Sequence, residues 1–209
     1  MSKIKKAVSV SVISIVMTSC ICEAETINVS AEEYTKLQTS TYTSVVRAST
    51  KKSKKRSWTS EYYGSNEVTG ATEDELNDLI DKIIEHRGLK YCPFKSKGDV
   101  LKKIEEDYEI SAIALLSIWT WESSFGTSTM AINRNNYGGI KGSNGYRYFD
   151  TIDEGMTEQG RLLHEVYVEE GYVTYSEIAS KYCPGNTSWA SNISSTAIQY
   201  AEWLEKIMD

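Results

Sequence analysis

Apolar residues recur at helical spacing along most of the chain after residue 70, and capping signals mark where several of these stretches begin. A Thr followed three residues later by a Glu can form a capping box, which satisfies two free N–H groups at a helix N-terminus. Such pairs stand at Thr72 and Glu75, at Thr151 and Glu154, and at Thr174 and Glu177. We therefore expect three helices to begin at these threonines.

The apolar stripes give the course of these helices and of further ones. Positions three and four apart fall on one face of a helix, the face that packs on a core. Stripes of this kind run over residues 76–84, 100–108, 156–167 and 193–207. Residues 112–124 are apolar on nearly all sides, which places this helix at the centre of the domain.

A β-hairpin signal stands at Asn144-Gly145, a dipeptide favoured in tight hairpin turns. Short stretches with the residues that strands favour flank it, at 139–141 and 146–149. Because the other signals are helical, the pattern predicts a mainly α domain with a very small β-hairpin lobe.

Glu122 lies directly after the apolar run Ile113–Trp121. Burial in a low dielectric disfavours the charged form of a carboxylate, and a helix C-terminus disfavours a further negative charge. Both effects should raise the pKa of this carboxyl group, and so should its aromatic neighbours Trp119, Trp121 and Phe125. A carboxylic acid that stays protonated near neutral pH can donate a proton in glycoside hydrolysis. A partly exposed glutamate at a helix end is the competing interpretation.

The first 24 residues are predicted to be a secretory signal peptide. Three lysines precede an apolar stretch, and the small residue Ala24 suits cleavage at that point. A membrane anchor is the alternative, although the stretch is on the short side of the roughly 17–25 residues that a spanning helix needs. The tetrapeptide that ends at Cys20 also resembles a lipoprotein processing site. We therefore expect a secreted or wall-associated protein, with lipidation of Cys20 as a variant.

Residues 25–70 are predicted to form a flexible linker, because they are rich in Ser, Thr and Lys and show no sustained hydrophobic period. A basic cluster at 51–56 could touch anionic wall polymers or a membrane surface, although a solvated run of charge is the simpler interpretation. Residues 71–209 form the predicted domain and carry 13 Lys and Arg against 23 Asp and Glu, a net charge of −10. Nucleic acid is a poor partner for such a domain, since phosphate binding needs clustered basic residues.

Two cysteines, Cys92 and Cys183, remain after the predicted cleavage, each in the tetrapeptide Lys-Tyr-Cys-Pro. In an oxidising compartment a disulfide between them is the favoured expectation, and two free thiols are the alternative. The chain has only two histidines, His86 and His164, which gives little for a metal site. We expect neither a metal nor a cofactor, and we expect His164 to be structural.

The segment that begins at Trp121 resembles the signature of glycoside hydrolase family 73, the bacterial endo-β-N-acetylglucosaminidases of the autolysin and flagellar-muramidase type. The matching residues are Glu122, Ser123, Phe125, Gly126, Ser128, Ala131, Asn135, Asn136, Tyr137, Gly139, Ile140 and Lys141. A looser likeness continues to Tyr182 and Trp189, which stand where the family carries aromatic residues. The resemblance covers about 74–208. It implies a lysozyme-like helical fold and Glu122 as the general acid.

The chain departs from this pattern at the hairpin. Many members carry a Thr-x-Glu there, and its carboxylate has been assigned as the second catalytic group. Here Lys141 is joined to Tyr146 by Gly-Ser-Asn-Gly, so the hairpin has no glutamate. Asp150 is the candidate second carboxylate and Asp153 a weaker one, although acidic residues also stabilise a helix N-terminus. Substrate assistance by the acetamido oxygen of the sugar is the other route. A smaller departure is Gly138, which stands where the family often has an aromatic residue.

The resemblance makes five residues candidates for substrate binding: Asn135, Asn136, Tyr137, Lys141 and Tyr182. The two asparagines could bond acetamido groups of the sugar, yet Asn-Asn before a glycine pair also suits a tight turn. Tyr137, Tyr146 and Tyr182 could stack on sugar rings, or they could be half-buried packing residues.

These features together predict an exported, monomeric hydrolase that cleaves the β-1,4 bond after N-acetylglucosamine in peptidoglycan. A lytic transglycosylase shares the catalytic glutamate, but that class carries a Gly-Leu-Met-Gln type segment where this chain has Gly139-Ile140-Lys141. The alternative from another class is a non-catalytic wall-binding or assembly module, which the missing hairpin glutamate favours. An acid at the apolar end of a helix argues against it, because a binding module has no use for one there.

Overall fold

The structure, a computed structural model, describes residues 64–209. The predicted signal peptide, Cys20 and the basic cluster of the linker lie outside the described residues. Among the helices of the described part, none combines the length and the apolar character that crossing a membrane requires.

The described part is mainly α-helical with one small hairpin, as the sequence pattern predicts. Its helices are α1 (Glu73–Arg87), α2 (Gly98–Tyr108), α3 (Ala112–Ser123), α4 (Thr129–Arg134), α5 (Ile152–Leu163), α6 (Tyr175–Tyr182) and α7 (Trp189–Met208). A π-helical turn, His164–Val168, follows α5, and the strands are β1 (Lys141–Gly142) and β2 (Gly145–Tyr146).

Helix α3 is buried along almost its whole length, from Ala112 to Thr120. It packs mainly on α7, while α1 lies against both α2 and α7, and α5 lies against α2. Side-chain hydrogen bonds show that α3 and α7 run antiparallel: Thr120 bonds Tyr200 and Trp121 bonds Thr196, each at 2.8 Å. The end of α3 is therefore held against the beginning of α7.

The predicted caps are present at all three threonines. Complete capping boxes begin α1 at Thr72 and α6 at Thr174. At Thr151 the hydroxyl accepts the N–H of Glu154, whose own side chain bonds the backbone N–H of Asp150 at 2.9 Å. These helix starts were predictable because each cap is made by residues close together in sequence.

Two helical features depart from the sequence prediction. The short helix α4 was not predicted, because it carries no long apolar stripe; in the structure the hydroxyl of Ser128 caps it by accepting the N–H of Ala131 at 3.3 Å. The helix that begins after Thr151 does not continue as an α-helix to Tyr167. It changes to a π-helical turn at His164, whose carbonyl accepts the N–H of Glu169 at 3.0 Å.

Residues 64–70 pack on the helical domain, although the sequence pattern placed them in the flexible linker. Ser65 is fully buried and forms two backbone hydrogen bonds of 2.8 Å, with Val173 and Ser111. The folded part thus begins at least seven residues before the predicted boundary at 71. Composition could not reveal this, because the partners of this segment lie far along the chain, at Glu105, Ser111 and Val173.

The hairpin is confirmed, with its turn one residue earlier than predicted. Lys141 lies opposite Tyr146, and Gly142 lies opposite Gly145. Ser143 and Asn144 form the turn, and Gly145 follows it with a φ of 101°, a conformation in which glycine carries no steric penalty.

Candidate active site

Glu122 stands in the last turn of α3, immediately before the chain reverses. The reversal passes through three successive residues with positive φ: Ser124 at 52°, Phe125 at 59° and Gly126 at 79°. The left-handed conformation costs roughly 1–2 kcal/mol for a residue with a side chain, and such strain clusters at functional sites. Because the helix ends abruptly here, the side chain of Glu122 lies at the end of α3 and is only partly buried.

The carboxylate of Glu122 receives a hydrogen bond from the indole of Trp189, the first residue of α7, at 2.7 Å. Burial raises the pKa of Glu122 and is the largest influence on it, while the Trp189 N–H acts in the opposite direction. The aromatic neighbours expected from the sequence are placed differently. Trp119 and Phe125 are fully buried in the core, and Trp121 is half exposed.

Tyr182 is the second aromatic residue next to this carboxylate. Its ring lies 5.2 Å from that of Trp189, and its hydroxyl donates to the backbone carbonyl of Gly138. Burial raises the pKa of the Tyr182 phenol well above its ordinary value, and the charge of Glu122 adds to this effect. The structure therefore brings Glu122, Tyr182 and the glycine pair of the hairpin loop together.

Gly139 brings the hairpin up to the same carboxylate. A Cβ added at this glycine would lie 3.9 Å from Glu122 Oε2 and 3.8 Å from Cε1 of Tyr146. Any larger side chain at 139 would thus contact both groups. Lys141 is exposed on the hairpin, with its ammonium 5.4 Å from the centre of the Tyr146 ring.

Three predicted binding residues, Asn135, Asn136 and Tyr137, are committed to the fold instead. Asn136 is fully buried, and its amide bonds the backbone of the hairpin segment at Ile140 and Arg147. Asn135 donates to the carbonyl of Phe149 at 2.9 Å, in the left-handed conformation that ends α4. This is the turn-forming role that the sequence left open for the asparagines.

Tyr137 is only 1% exposed, so its ring cannot stack on a sugar. It packs edge-on against Phe94, with the ring centres 4.8 Å apart. Its burial favours the packing role that the sequence left open for this tyrosine.

Asp150 is exposed and lies just before α5, where its backbone N–H donates to the side chain of Glu154 at 2.9 Å. Asp153 forms an ion pair with Lys97 at 2.5 Å. Both acidic residues stand where negative charge stabilises a helix N-terminus.

The predicted disulfide between Cys92 and Cys183 is not present, and both cysteines are free thiols. They lie in different surroundings: Cys92 is buried in the loop after α1, while Cys183 is partly exposed at the end of α6. Burial raises the pKa of the Cys92 thiol to about 11. His164 contacts Glu169 at 3.5 Å in the π-helical turn. Within residues 64–209, no group of three or more His, Cys, Asp or Glu side chains is arranged to hold a metal ion.

The bond between Trp189 and Glu122 could not be predicted from the sequence. The two residues are 67 positions apart, and no local pattern links them. The looser aromatic likeness at Trp189 was the one available signal, and it gave neither the partner nor the direction of the bond.

Comparison with known proteins decides the family. The profile named Glucosaminidase, described as mannosyl-glycoprotein endo-beta-N-acetylglucosaminidase, matches residues 98–209, more than half of the chain. The chain belongs to the glucosaminidase family. Its matched segment is therefore a glycoside hydrolase domain, and this glucosaminidase segment includes Glu122, the hairpin, Tyr182 and Trp189.

Two curated relatives of the glucosaminidase come from Streptococcus pneumoniae, serotype 4 and strain R6, and carry the provisional name endo-beta-N-acetylglucosaminidase. Each is 28% identical over an alignment of 147 residues, and the alignment covers 66% of this chain. The chain spans about a fifth of their length, 22% and 21%.

Solved structures of autolysin E from S. aureus share the fold of the glucosaminidase. A catalytic mutant bound to the disaccharide NAG-NAM matches with a TM-score of 0.56 and 17% identity. A complex with the muropeptide NAM-L-Ala-D-iGlu matches with a TM-score of 0.55 and the same identity. Each match covers 68% of this chain and 71% of the other. The lysozyme-like helical fold predicted from the sequence is thereby confirmed.

Proposed function

We propose that this glucosaminidase hydrolyses peptidoglycan at the β-1,4 bond after N-acetylglucosamine, with Glu122 as the general acid. The observation that carries the proposal is the Glu122 carboxyl group, partly buried at the end of α3 and bonded to Trp189. Family membership supports the reaction class. The autolysin E complexes with NAG-NAM and a muropeptide support the choice of polymer.

Glu122 and Trp189 suit opposite phases of the proton transfer. Burial keeps the carboxyl group protonated at higher pH than an exposed glutamate, so the acid holds a proton for the leaving oxygen. When the proton leaves, a carboxylate forms, and the Trp189 N–H is already aimed at it. A hydrogen bond that strengthens as charge develops stabilises the transition state more than the ground state.

The second catalytic group is the open part of the mechanism, and the site supports substrate assistance over Asp150. A protein nucleophile in a retaining glycosidase stands about 5–5.5 Å from the acid. The turn of the hairpin, Ser143-Asn144, carries no carboxylate, and Asp150 is exposed at the N-terminus of α5, where a negative charge stabilises the helix. In the assisted route the acetamido oxygen of the sugar attacks the anomeric carbon while Glu122 protonates the leaving oxygen.

The proposal includes action outside the cell on wall glycan. The predicted signal peptide and the wall-directed character of autolysins support this location, with the basic cluster at 51–56 as a contact for anionic wall polymers. Tyr182 and Lys141 are proposed to contact the sugar, because Tyr182 adjoins Glu122 and the exposed Lys141 lies over the ring of Tyr146 on the hairpin.

Analysis of the new glycan ends tests this proposal. The full chain is incubated with purified peptidoglycan, the products are reduced with borohydride, and the ends are identified by mass spectrometry. Reduced N-acetylglucosamine ends are expected from the parent protein and not from Glu122→Gln. Anhydro-muramic ends would instead make the protein a lytic transglycosylase. Wall binding without new ends would make it a binding module.

The same assay tests the second catalytic group. An Asp150→Asn variant should release the same ends as the parent, at a rate within about threefold, because substrate assistance needs no second protein carboxylate. A loss comparable to that of Glu122→Gln would assign Asp150 as the second carboxylate and contradict substrate assistance.

A further inference from the structure

The face of the hairpin beside Glu122 carries two exposed tyrosines. Tyr146 is 45% exposed and Tyr148 is 61% exposed. Single apolar residues on a surface need no explanation, but two aromatic rings on one short segment beside an acid form a continuous feature. This pair, Tyr146 and Tyr148, is called the tyrosine strip below.

The contacts of the neighbouring residues indicate that both rings of the tyrosine strip share one face. Side chains alternate between the two faces of an extended segment, so every second residue shares a face. The residues between and after the tyrosines take the other face: the guanidinium of Arg147 lies 4.9 Å from the centre of the Phe149 ring, which is buried. The two tyrosine side chains therefore follow one another along the exposed face, about 7 Å apart.

The strip begins at the candidate active site. The added Cβ at Gly139 that would lie 3.9 Å from Glu122 Oε2 would lie 3.8 Å from the Tyr146 ring. Tyr146 is also among the groups that raise the pKa of Tyr182, which adjoins Glu122. Tyr148 comes next along the chain, so the strip leads away from the reacting bond.

The backbone that carries the strip is held in place. Arg134 donates to the carbonyl of Tyr146 at 3.1 Å, and the N–H of Phe149 donates to the carbonyl of Arg134 at 2.9 Å. Arg147 forms an ion pair with Glu158 on α5. Rings on a fixed backbone lose little conformational freedom when a ligand stacks on them, which lowers the cost of binding.

We propose that the tyrosine strip is an extended glycan subsite, on which successive sugar rings of the substrate strand stack as they leave Glu122. This inference rests on the proposed function, since it names where the same polymer continues. A tyrosine offers a flat apolar face to the C–H face of a sugar and a hydroxyl to its rim. The subsite gives the enzyme a preference for long strands over short ones.

Titration calorimetry with N-acetylglucosamine oligomers tests the strip. The full chain carries Glu122→Gln, so that binding is measured without turnover, and the dimer and hexamer are compared. Tyr148→Ala should weaken hexamer binding by about five- to tenfold and reduce the hexamer-to-dimer affinity ratio by a similar factor, the loss of one stacked ring. Tyr148→Phe keeps the ring and should bind within about twofold of the parent.

The matched control is Tyr91→Ala, which removes a tyrosine of similar exposure (55%) from the loop after α1. It should leave both affinities unchanged, and thermal unfolding should show that all variants are folded. If Tyr148→Ala binds the hexamer as tightly as the parent, the tyrosine strip is not a glycan subsite. The same conclusion follows if the dimer and the hexamer lose affinity equally. Neither result contradicts the proposed function. Failure of the Glu122→Gln protein to bind either oligomer would overturn the proposed function and the strip together.

Discussion

At the scale of single residues, Glu122 combines burial with one well-placed donor. Burial raises its pKa, and the Trp189 indole donates a hydrogen bond to its carboxylate; in the proposed mechanism this bond stabilises the anion that remains after proton transfer. A general acid must be protonated to act, so activity should fall as the pH rises through this pKa.

Replacing Trp189 with Phe should move this pH dependence. The carboxylate loses the hydrogen bond that lowers its pKa, so the alkaline limb of kcat/KM should shift to higher pH, and kcat should fall because the anion is less stabilised. Trp121→Phe is the control, since that indole bonds Thr196 at 2.8 Å rather than Glu122. If the alkaline limb of Trp189→Phe stays in place or moves to lower pH, the bond from Trp189 does not lower the pKa of the general acid.

Ser124 tests the strain in the turn after Glu122. Its φ of 52° is unfavourable for a residue with a side chain, so Ser124→Gly should raise the free energy of unfolding by about 0.5–1 kcal/mol. Ser180→Gly, an exposed change inside α6, should lower it by about as much. Chemical denaturation of both variants measures whether each substitution raises or lowers the free energy of unfolding. A loss of stability in Ser124→Gly would mean that the turn is not strained.

At the scale of elements, what the sequence predicted depends on how far apart the interacting residues lie. The caps at Thr72 and Thr174 and the hairpin turn could be predicted because their partners are within four residues. Glu122 was identified from the apolar run before it. Its partner Trp189 was not, because that bond exists only once α3 and α7 pack antiparallel.

The same limit applies to three candidates whose side chains make contacts within the fold. Asn135, Asn136 and Tyr137 carry side chains that suit sugar binding, and the family resemblance pointed to them. The amides of Asn135 and Asn136 bond the backbone of the segment that follows, and the ring of Tyr137 is buried, and these contacts arise only in the folded chain. A polar side chain that binds backbone and one that binds ligand look alike in a sequence.

Asn136 should therefore be the main support of the hairpin. Its buried amide donates to two carbonyls, at 2.8 and 2.9 Å, and accepts the N–H of Ile140 at 2.8 Å. Asn136→Ala leaves these groups without a partner and should lower the free energy of unfolding by about 2–4 kcal/mol. Asn133→Ala, an exposed change in α4, should cost less than about 0.5 kcal/mol. Denaturant titration compares them, and equal small losses would contradict this role.

At the scale of the whole molecule, the folded unit is larger than the segment that the family profile matches. The match begins at residue 98, but α1 and residues 64–70 pack on the matched part. Glu105 is the buried link between them. Its carboxylate accepts the N–H and the hydroxyl of Thr69, both at 2.9 Å, and the N–H of Ala112 at the start of α3, at 2.8 Å.

Removing this link should destabilise the entire domain. Glu105→Ala leaves buried donors without a partner and should lower the free energy of unfolding by about 2–3 kcal/mol. Glu106→Ala removes an exposed helix ion pair with Lys102 and should change it by less than about 0.5 kcal/mol. Chemical unfolding of the two variants compares the loss of a buried carboxylate with the loss of an exposed one. Similar values for both would contradict the linking role of Glu105.

The role of Glu105 can also be tested through the pH dependence of the free energy of unfolding. Burial raises the pKa of Glu105 above its unfolded value, so the folded chain binds the additional proton between the two values. Stability should therefore fall as the pH rises through that window. Glu105→Ala should lose this part of the pH dependence, and an unchanged profile would show that another group causes it.

The central claim is that Glu122 donates the proton in glycan cleavage, and the most direct test is the rate at which Glu122→Gln releases new reducing ends from peptidoglycan. The amide has nearly the same shape and can still accept the Trp189 bond, but it cannot give up a proton. We predict a fall of at least about 100-fold in a folded protein, against no change for Glu202→Gln, an exposed glutamate on α7. A Glu122→Gln rate within about threefold of the parent would contradict the claim.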